Sequence, residues 1–181
     1  MYALGMIEVL SIPVGVLAGD CMLKTAEVSL VTAQTVCAGK YIVLVSGGVA
    51  AVKAAVAAGV DQAGSKLVDS MLIPNVDERV VAAMAGACEL EEVRAIGMLE
   101  TFSLAAAVYA ADAAVKAAAV ELLEVRLARG MGGKSYILLS GDVAAVEAAV
   151  KAAEDSGAVE GMLAQSVVIP APHIDMVRAL L

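Results

Sequence analysis

This chain is written twice. Leu4–Glu8 reads LGMIE and Ile96–Glu100 reads IGMLE. Asp20 and Lys24, in GDCMLKTAEVSL, recur as Asp112 and Lys116, in ADAAVKAAAVEL. Both pairs are spaced by 92 residues. AGK at Ala38–Lys40 answers GGK at Gly132–Lys134, and SGGVAAV at Ser46–Val52 answers SGDVAAV at Ser140–Val146. There the spacing is 94, so the second copy carries two extra residues before its GGK loop. Ile73-Pro74 and Ile169-Pro170 close the series at a spacing of 96. Solenoid repeats run about 20–50 residues, so this period is too long for one. It is the length of a small domain. The 181 residues are therefore expected to form two domains, 1–93 and 94–181, each large enough for a modest core.

Hydrophobic residues make up 61% of the chain and the mean hydropathy is +0.86. Ala and Val carry that excess, and charges interrupt every stretch: Lys53 in one Ala-rich run, Asp112 and Lys116 in the next. No uncharged run reaches the roughly 18–20 residues that a bilayer span needs. The start, MYALGMIEVL, has no basic segment and holds Glu8 inside its apolar stretch, so it does not read as a signal peptide. The apolar excess points instead to burial between subunits. A net charge of −8 without a basic cluster argues against nucleic acid, because neutralising phosphates takes grouped Lys and Arg. Three cysteines at irregular spacing, Cys21, Cys37 and Cys88, are not a disulfide framework and fit a reducing, cytoplasmic compartment.

Within one copy, Leu4–Val9 reads as a strand, followed by a helix entered at Ser11-Ile12-Pro13. Val14, Leu17, Ala18, Cys21 and Met22 fall on one face of that helix. Val28–Val36 and Tyr41–Ser46 are strands around a tight Cys37–Lys40 loop. Val49–Ala63 is an Ala-rich helix, Lys66–Ile73 a strand stopped by Pro74, and Asp77–Ala85 a short helix. The order β-α-β-β-α-β is the ferredoxin-like split βαβ pattern, so the fold class is α+β. Gly86–Arg94, with Glu89, Glu91 and Glu92, links this copy to the second.

The carrying motifs are GMIE and GMLE, D-x-x-x-K-x-A at Asp20, Lys24, Ala26 and at Asp112, Lys116, Ala118, the GK loops, and the SG-x-VAAV helix starts. With them the whole chain resembles the bacterial microcompartment shell proteins. It is similar to the tandem-domain group in unpermuted order, since each copy begins with the GM-[IL]-E strand. The propanediol-utilisation type is matched most fully. It has a cysteine in its first GK loop (Cys37 here), a glycine-rich second loop (RGMGGK here) and a C-terminal IPxPH (Ile169–His173 here). The resemblance departs at Ala38, where such loops commonly carry proline. That bears on the loop's rigidity and not on the ligand.

The resemblance implies a homotrimer shaped as a pseudohexameric tile around a central pore, joined edge to edge with other shell proteins in a cytoplasmic compartment shell. Asp20, Lys24, Asp112 and Lys116 should supply the tile edge. The loops of Cys37, Ala38 and Gly39 and of Gly130, Met131 and Gly132 should line the pore. One cysteine per chain becomes three on a threefold axis. The resemblance implies that three Cys37 thiolates hold one [4Fe–4S] cluster per trimer, leaving one iron open. Such clusters normally have four thiolate ligands. Lys40, three residues on, would favour the thiolate if its ammonium were close. The implied role is electron transfer across the shell, with an encapsulated redox enzyme as a partner and no turnover of substrate. No catalytic residue is expected.

The remaining motifs read as structure. Gly130–Ser135 imitates a phosphate loop, but Ala128 stands where the first glycine is needed. His173, the single histidine, suits a surface or capping role. Glu8 and Glu100 recur at equivalent strand positions, which points to a backbone or lysine contact. Cys21 on the helix and Cys88 in the linker read as structural. Two alternatives stay open: a cluster-free tile whose pore passes small polar metabolites, and a ferredoxin-like regulatory protein that binds a small ligand between its halves.

Overall fold

The computed structural model describes residues 2–86 and 93–180. Cys88 and the acidic linker residues Glu89, Glu91 and Glu92 lie outside them. The chain divides into two compact units, Met1–Val76 and Asp77–Leu181.

Unit 1 runs β1 (Ala3–Val9), α1 (Ile12–Thr25), β2 (Ser29–Val36), β3 (Lys40–Gly47), α2 (Val49–Ala63) and β4 (Leu67–Ile73). Its sheet has the order β2-β3-β1-β4, and every pair is antiparallel. This is the split βαβ topology expected from the sequence. Alternate residues of β1, namely Ala3, Ile7 and Val9, meet Ala18 and Met22 of α1 and Val52, Ala55 and Val56 of α2 in one core. Gly5 lies on the same face and lets α2 approach. A Cβ there would stand 2.5 Å from Val56 Cγ2 and 2.6 Å from Val52 Cγ1. The glycine of the GMIE motif is thus a packing residue.

Helix α1 turns differently from the face read by hydropathy. Its buried residues are Gly15, Ala18, Gly19 and Met22. Leu17 is 52% exposed and Cys21 is only half-buried. The physical reason is contact distance. Gly15 sits against Tyr41 and Val9, and Gly19 against Val43, so the smallest residues face the sheet.

Unit 2 repeats the pattern with β5 (Ala95–Thr101), α4 (Leu104–Ala117), β6 (Glu121–Leu127), β7 (Ser135–Gly141), α5 (Val143–Glu154) and β8 (Leu163–Pro170), ordered β6-β7-β5-β8. Even the irregularities recur. The ladder shifts register after Glu8 and again after Glu100, and between Leu30 and Thr32 as between Leu122 and Glu124. Two short helices complete this unit, α3 (Glu78–Met84) and α6 (Ile174–Leu180). Helix α3 follows β4 in sequence but packs on β6 and α4 of unit 2. Among the described residues, no helix is long and apolar enough to cross a membrane.

Candidate functional site

The two GK loops are equivalent hairpin connections, β2–β3 and β6–β7, at matching places in their units. The first is three residues, Cys37, Ala38 and Gly39, closing the Val36–Lys40 pair. Ala38 and Gly39 both have left-handed backbones, φ +30° and +73°. That conformation excludes proline, whose φ is fixed near −65°. The departure at Ala38 is therefore matched by a loop that proline cannot adopt. Cys37 is half-buried, while Ala38 and Gly39 are exposed.

The second loop runs from 128 to 134 between β6 and β7. Ala128, Gly130, Gly132 and Gly133 all have positive φ. A Cβ on any of these glycines, or on Gly39, would meet nothing within 4 Å. The glycines are there for backbone handedness, and the space beside them within the chain is open. This loop joins two strands and opens no helix, so it cannot cradle phosphates on a helix N-terminus as a phosphate loop does.

Each loop is anchored by its lysine on the recurring glutamate. Lys40 pairs with Glu8, the two side chains being 18% and 3% exposed. Lys134 pairs with Glu100 at 2.7 Å, with exposures of 40% and 35%. The glutamates thus hold the ends of the hairpins, the lysine contact that their recurrence suggested. It also places the Lys40 ammonium on Glu8, a carboxylate. Within the chain, the described residues contain no group of three or more His, Cys, Asp or Glu side chains able to hold a metal. A cluster on Cys37 therefore requires that residue from several chains.

The Asp/Lys motif forms an i,i+4 ion pair in both copies, Lys24 Nζ to Asp20 Oδ2 and Lys116 Nζ to Asp112 Oδ2, each at 2.6 Å. The surroundings differ. Asp20 and Lys24 are 53% and 75% exposed, whereas Asp112 and Lys116 are 11% and 41%. Asp112 Oδ1 also accepts the Asp77 backbone N–H at 2.9 Å. Asp77 caps α3 in turn, accepting from the Arg79 backbone N–H at 3.0 Å and from its guanidinium. The guanidinium hydrogen bond from Arg79 holds the Asp77 carboxyl below the usual carboxylate range. His173 takes the capping role expected of it: its Nδ1 accepts from the Asp175 backbone N–H at 3.2 Å at the start of α6.

One cluster escaped the sequence reading. Glu124 and Arg126 of β6 and Tyr136 of β7 share a face beside the second loop. The Tyr136 hydroxyl donates to Glu124, Arg126 Nε donates to Glu124 at 2.8 Å, and the guanidinium lies 5.2 Å from the ring centre. Burial, then the bond to Glu124, pushes the Tyr136 hydroxyl up to about 12. The alternation E-V-R in ELLEVRL was the available signal, since residues two apart share a strand face. The first copy has Thr32 and Gln34 there, so repetition could not flag it.

Comparison with known proteins fits this architecture. The BMC domain family matches twice, over residues 3–76 and 95–172. The chain is 43% identical to the bacterial microcompartment shell protein PduT of Citrobacter freundii, over 98% of this chain and 97% of that one. A solved structure of a microcompartments protein from Desulfitobacterium hafniense DCB superposes with a TM-score of 0.93 at 46% identity, covering 98% of this chain and 99% of that chain. The carboxysome shell protein CcmK2 of Thermosynechococcus vestitus is 48% identical over 61 residues, 34% of this chain and 60% of its own length. The chain belongs to the BMC-domain family of bacterial microcompartment shell proteins, and carries two such domains in tandem.

Proposed function

We propose that this structural shell protein assembles as a trimeric tile with the two GK loops around its central pore, and that Cys37 from three chains holds a [4Fe–4S] cluster there. The observation that supports it most is the place of Cys37. It lies at the tip of a short hairpin whose base is fixed by a buried ion pair and whose neighbours, Ala38 and Gly39, are exposed. A rigid tip with open surroundings suits a thiol that must meet its symmetry mates. Cys37 supplies the thiolates, and the backbone of Gly39 leaves room beside them. When bound, the cluster supplies one-electron transfer across the shell, with an encapsulated oxidoreductase as electron partner. The tile itself turns over no substrate. Lys24 and Lys116, held by their aspartates, face neighbouring tiles. The shell-protein family leaves the small-ligand regulatory reading without support.

The test is anaerobic purification followed by iron and acid-labile sulfide per trimer, beside Cys37→Ser. About four irons per trimer, lost in the variant, is the expected result. Intact wild-type trimers without iron would overturn the cluster and leave a metabolite pore.

A further inference from the structure

We infer that Arg129 is the cationic counterpart of Cys37: in the trimeric tile, three guanidiniums alternate with three Cys37 sulfurs around the pore and hold negative charge there, whether bare thiolate or cluster. The inference rests on the tile proposed above and names a second residue of the same site.

The two residues hold one place in the repeat. Thr35 of β2 pairs with Tyr41 of β3, and Leu127 of β6 pairs with Ser135 of β7. Both ladders shift register at the same earlier point, Leu30/Thr32 and Leu122/Glu124, so the correspondence runs along the strands. One buried residue follows each pair, Val36 at 6% exposure and Ala128 at 0%. Cys37 and Arg129 come next. The two extra residues of the second loop fall beyond this point, between Arg129 and Lys134.

The backbones part at this step. The first loop turns left-handed at Ala38, whereas the second turns sooner, at Ala128 with φ +47°. Arginine carries its charge at the end of a long, flexible stem, so the guanidinium is not confined to the direction of the backbone. Gly130, Gly132 and Gly133 leave open space beside it.

The other cations at the two hairpins are engaged. Lys40 pairs with Glu8, Lys134 with Glu100 and Arg126 with Glu124. Arg129 is exposed, and among the described residues its guanidinium makes no ion pair. Neither loop contains an acid. The net charge of the chain is −8, so an anionic group on the axis of a trimer needs positive charge close by. Three thiolates outweigh the charge of a [4Fe–4S] core, and reduction adds one more negative charge. Cations beside such a cluster favour its reduced form and raise its reduction potential.

The test compares wild type with Arg129→Gln and Arg129→Lys. Lys53→Gln, at an exposed position of α2, controls for the change in net charge. All are full-length trimers verified by light scattering and kept at low ionic strength, where charge is least screened. In iron-loaded trimers, a redox titration followed by electron paramagnetic resonance reads the cluster. Arg129→Gln should lower the reduced-to-oxidised ratio at a fixed potential about tenfold, a fall of about 59 mV for one electron. In iron-free trimers, peptide mass spectrometry compares the rates at which Cys37 reacts with iodoacetate and with iodoacetamide. The ratio of anionic to neutral reagent cancels the reactivity of the thiol itself and reports the local field. It should fall about tenfold in Arg129→Gln, and in wild type on adding salt. Arg129→Lys and Lys53→Gln should stay near wild type in both measurements. An unchanged potential in loaded trimers, or an unchanged reagent ratio in empty ones, overturns the inference and leaves the cluster reading standing. Wild-type trimers without iron overturn the cluster reading alone, and the reagent ratio then decides the inference. A wild type that is not trimeric overturns both.

Discussion

Removing Lys40 should damage this protein far more than removing Lys134, although the two lysines occupy the same motif. Glu8 lies on central strand β1, between Ile42 of β3 and Asp69 of β4, and its side chain is 3% exposed. Lys40, at 18%, is the cation that matches it. Lys40→Met leaves a buried carboxylate without its counter-charge, a change that costs about 3–5 kcal/mol. Glu100 and Lys134 are 35% and 40% exposed. Water screens that pair, so Lys134→Met should cost no more than about 1 kcal/mol. Urea unfolding at one fixed protein concentration measures both, the concentration being held because association adds to apparent stability. The double variant Glu8→Gln with Lys40→Met should recover most of the loss, since no unpaired charge remains. Equal losses for Lys40→Met and Lys134→Met would refute the argument, because burial is the only difference on which it rests.

Three further predictions follow from packing, capping and charge. Gly5→Ala should cost about 1–3 kcal/mol by overpacking, because the new Cβ lands 2.5 Å from Val56, and thermal melts should show it. Asp77→Ala should cost about 1 kcal/mol through loss of the α3 cap. The folded-state carboxyl is held below its ordinary value by Arg79, so this contribution is present above pH 3.8 and fades as pH falls through the lowered value. Melts of wild type and variant should therefore converge in acid. Lys24→Ala with Lys116→Ala should abolish sheets seen by electron microscopy while leaving light-scattering mass unchanged, because both ammonium groups are partly exposed and each pairs with an aspartate of its own helix.

Most of the fold was legible because its signals are local. Short apolar and β-branched runs marked the strands, Pro74 stopped β4, and the recurrence of Glu8 and Glu100 pointed to a backbone or lysine contact, which Lys40 and Lys134 make. The buried stripe of α1 was not legible. Hydropathy favours Leu17 over Gly15, but a helix laid close on Tyr41 and Val43 has no room for a leucine there. The Glu124–Arg126–Tyr136 cluster was also missed, since it depends on which strand lies beside β6 and has no counterpart in the first copy.

The Asp/Lys motif shows a subtler limit. Read as sequence, its two instances are the same, and one role was expected for both. In the structure they share an ion pair of the same length and differ in what lies above it. Asp112 is covered because α3 arrives along the chain, and a covalent connection brings that helix at no cost in association entropy. Asp20 is 53% exposed, and among the described residues no helix caps onto it in this way. The first copy's instance of this face stays open, and the second copy's short helix keeps an exposed side. Both are visible here, at Leu30 and at Met176. Exposed apolar side chains such as Leu30 and Met176 favour association over a solitary fold.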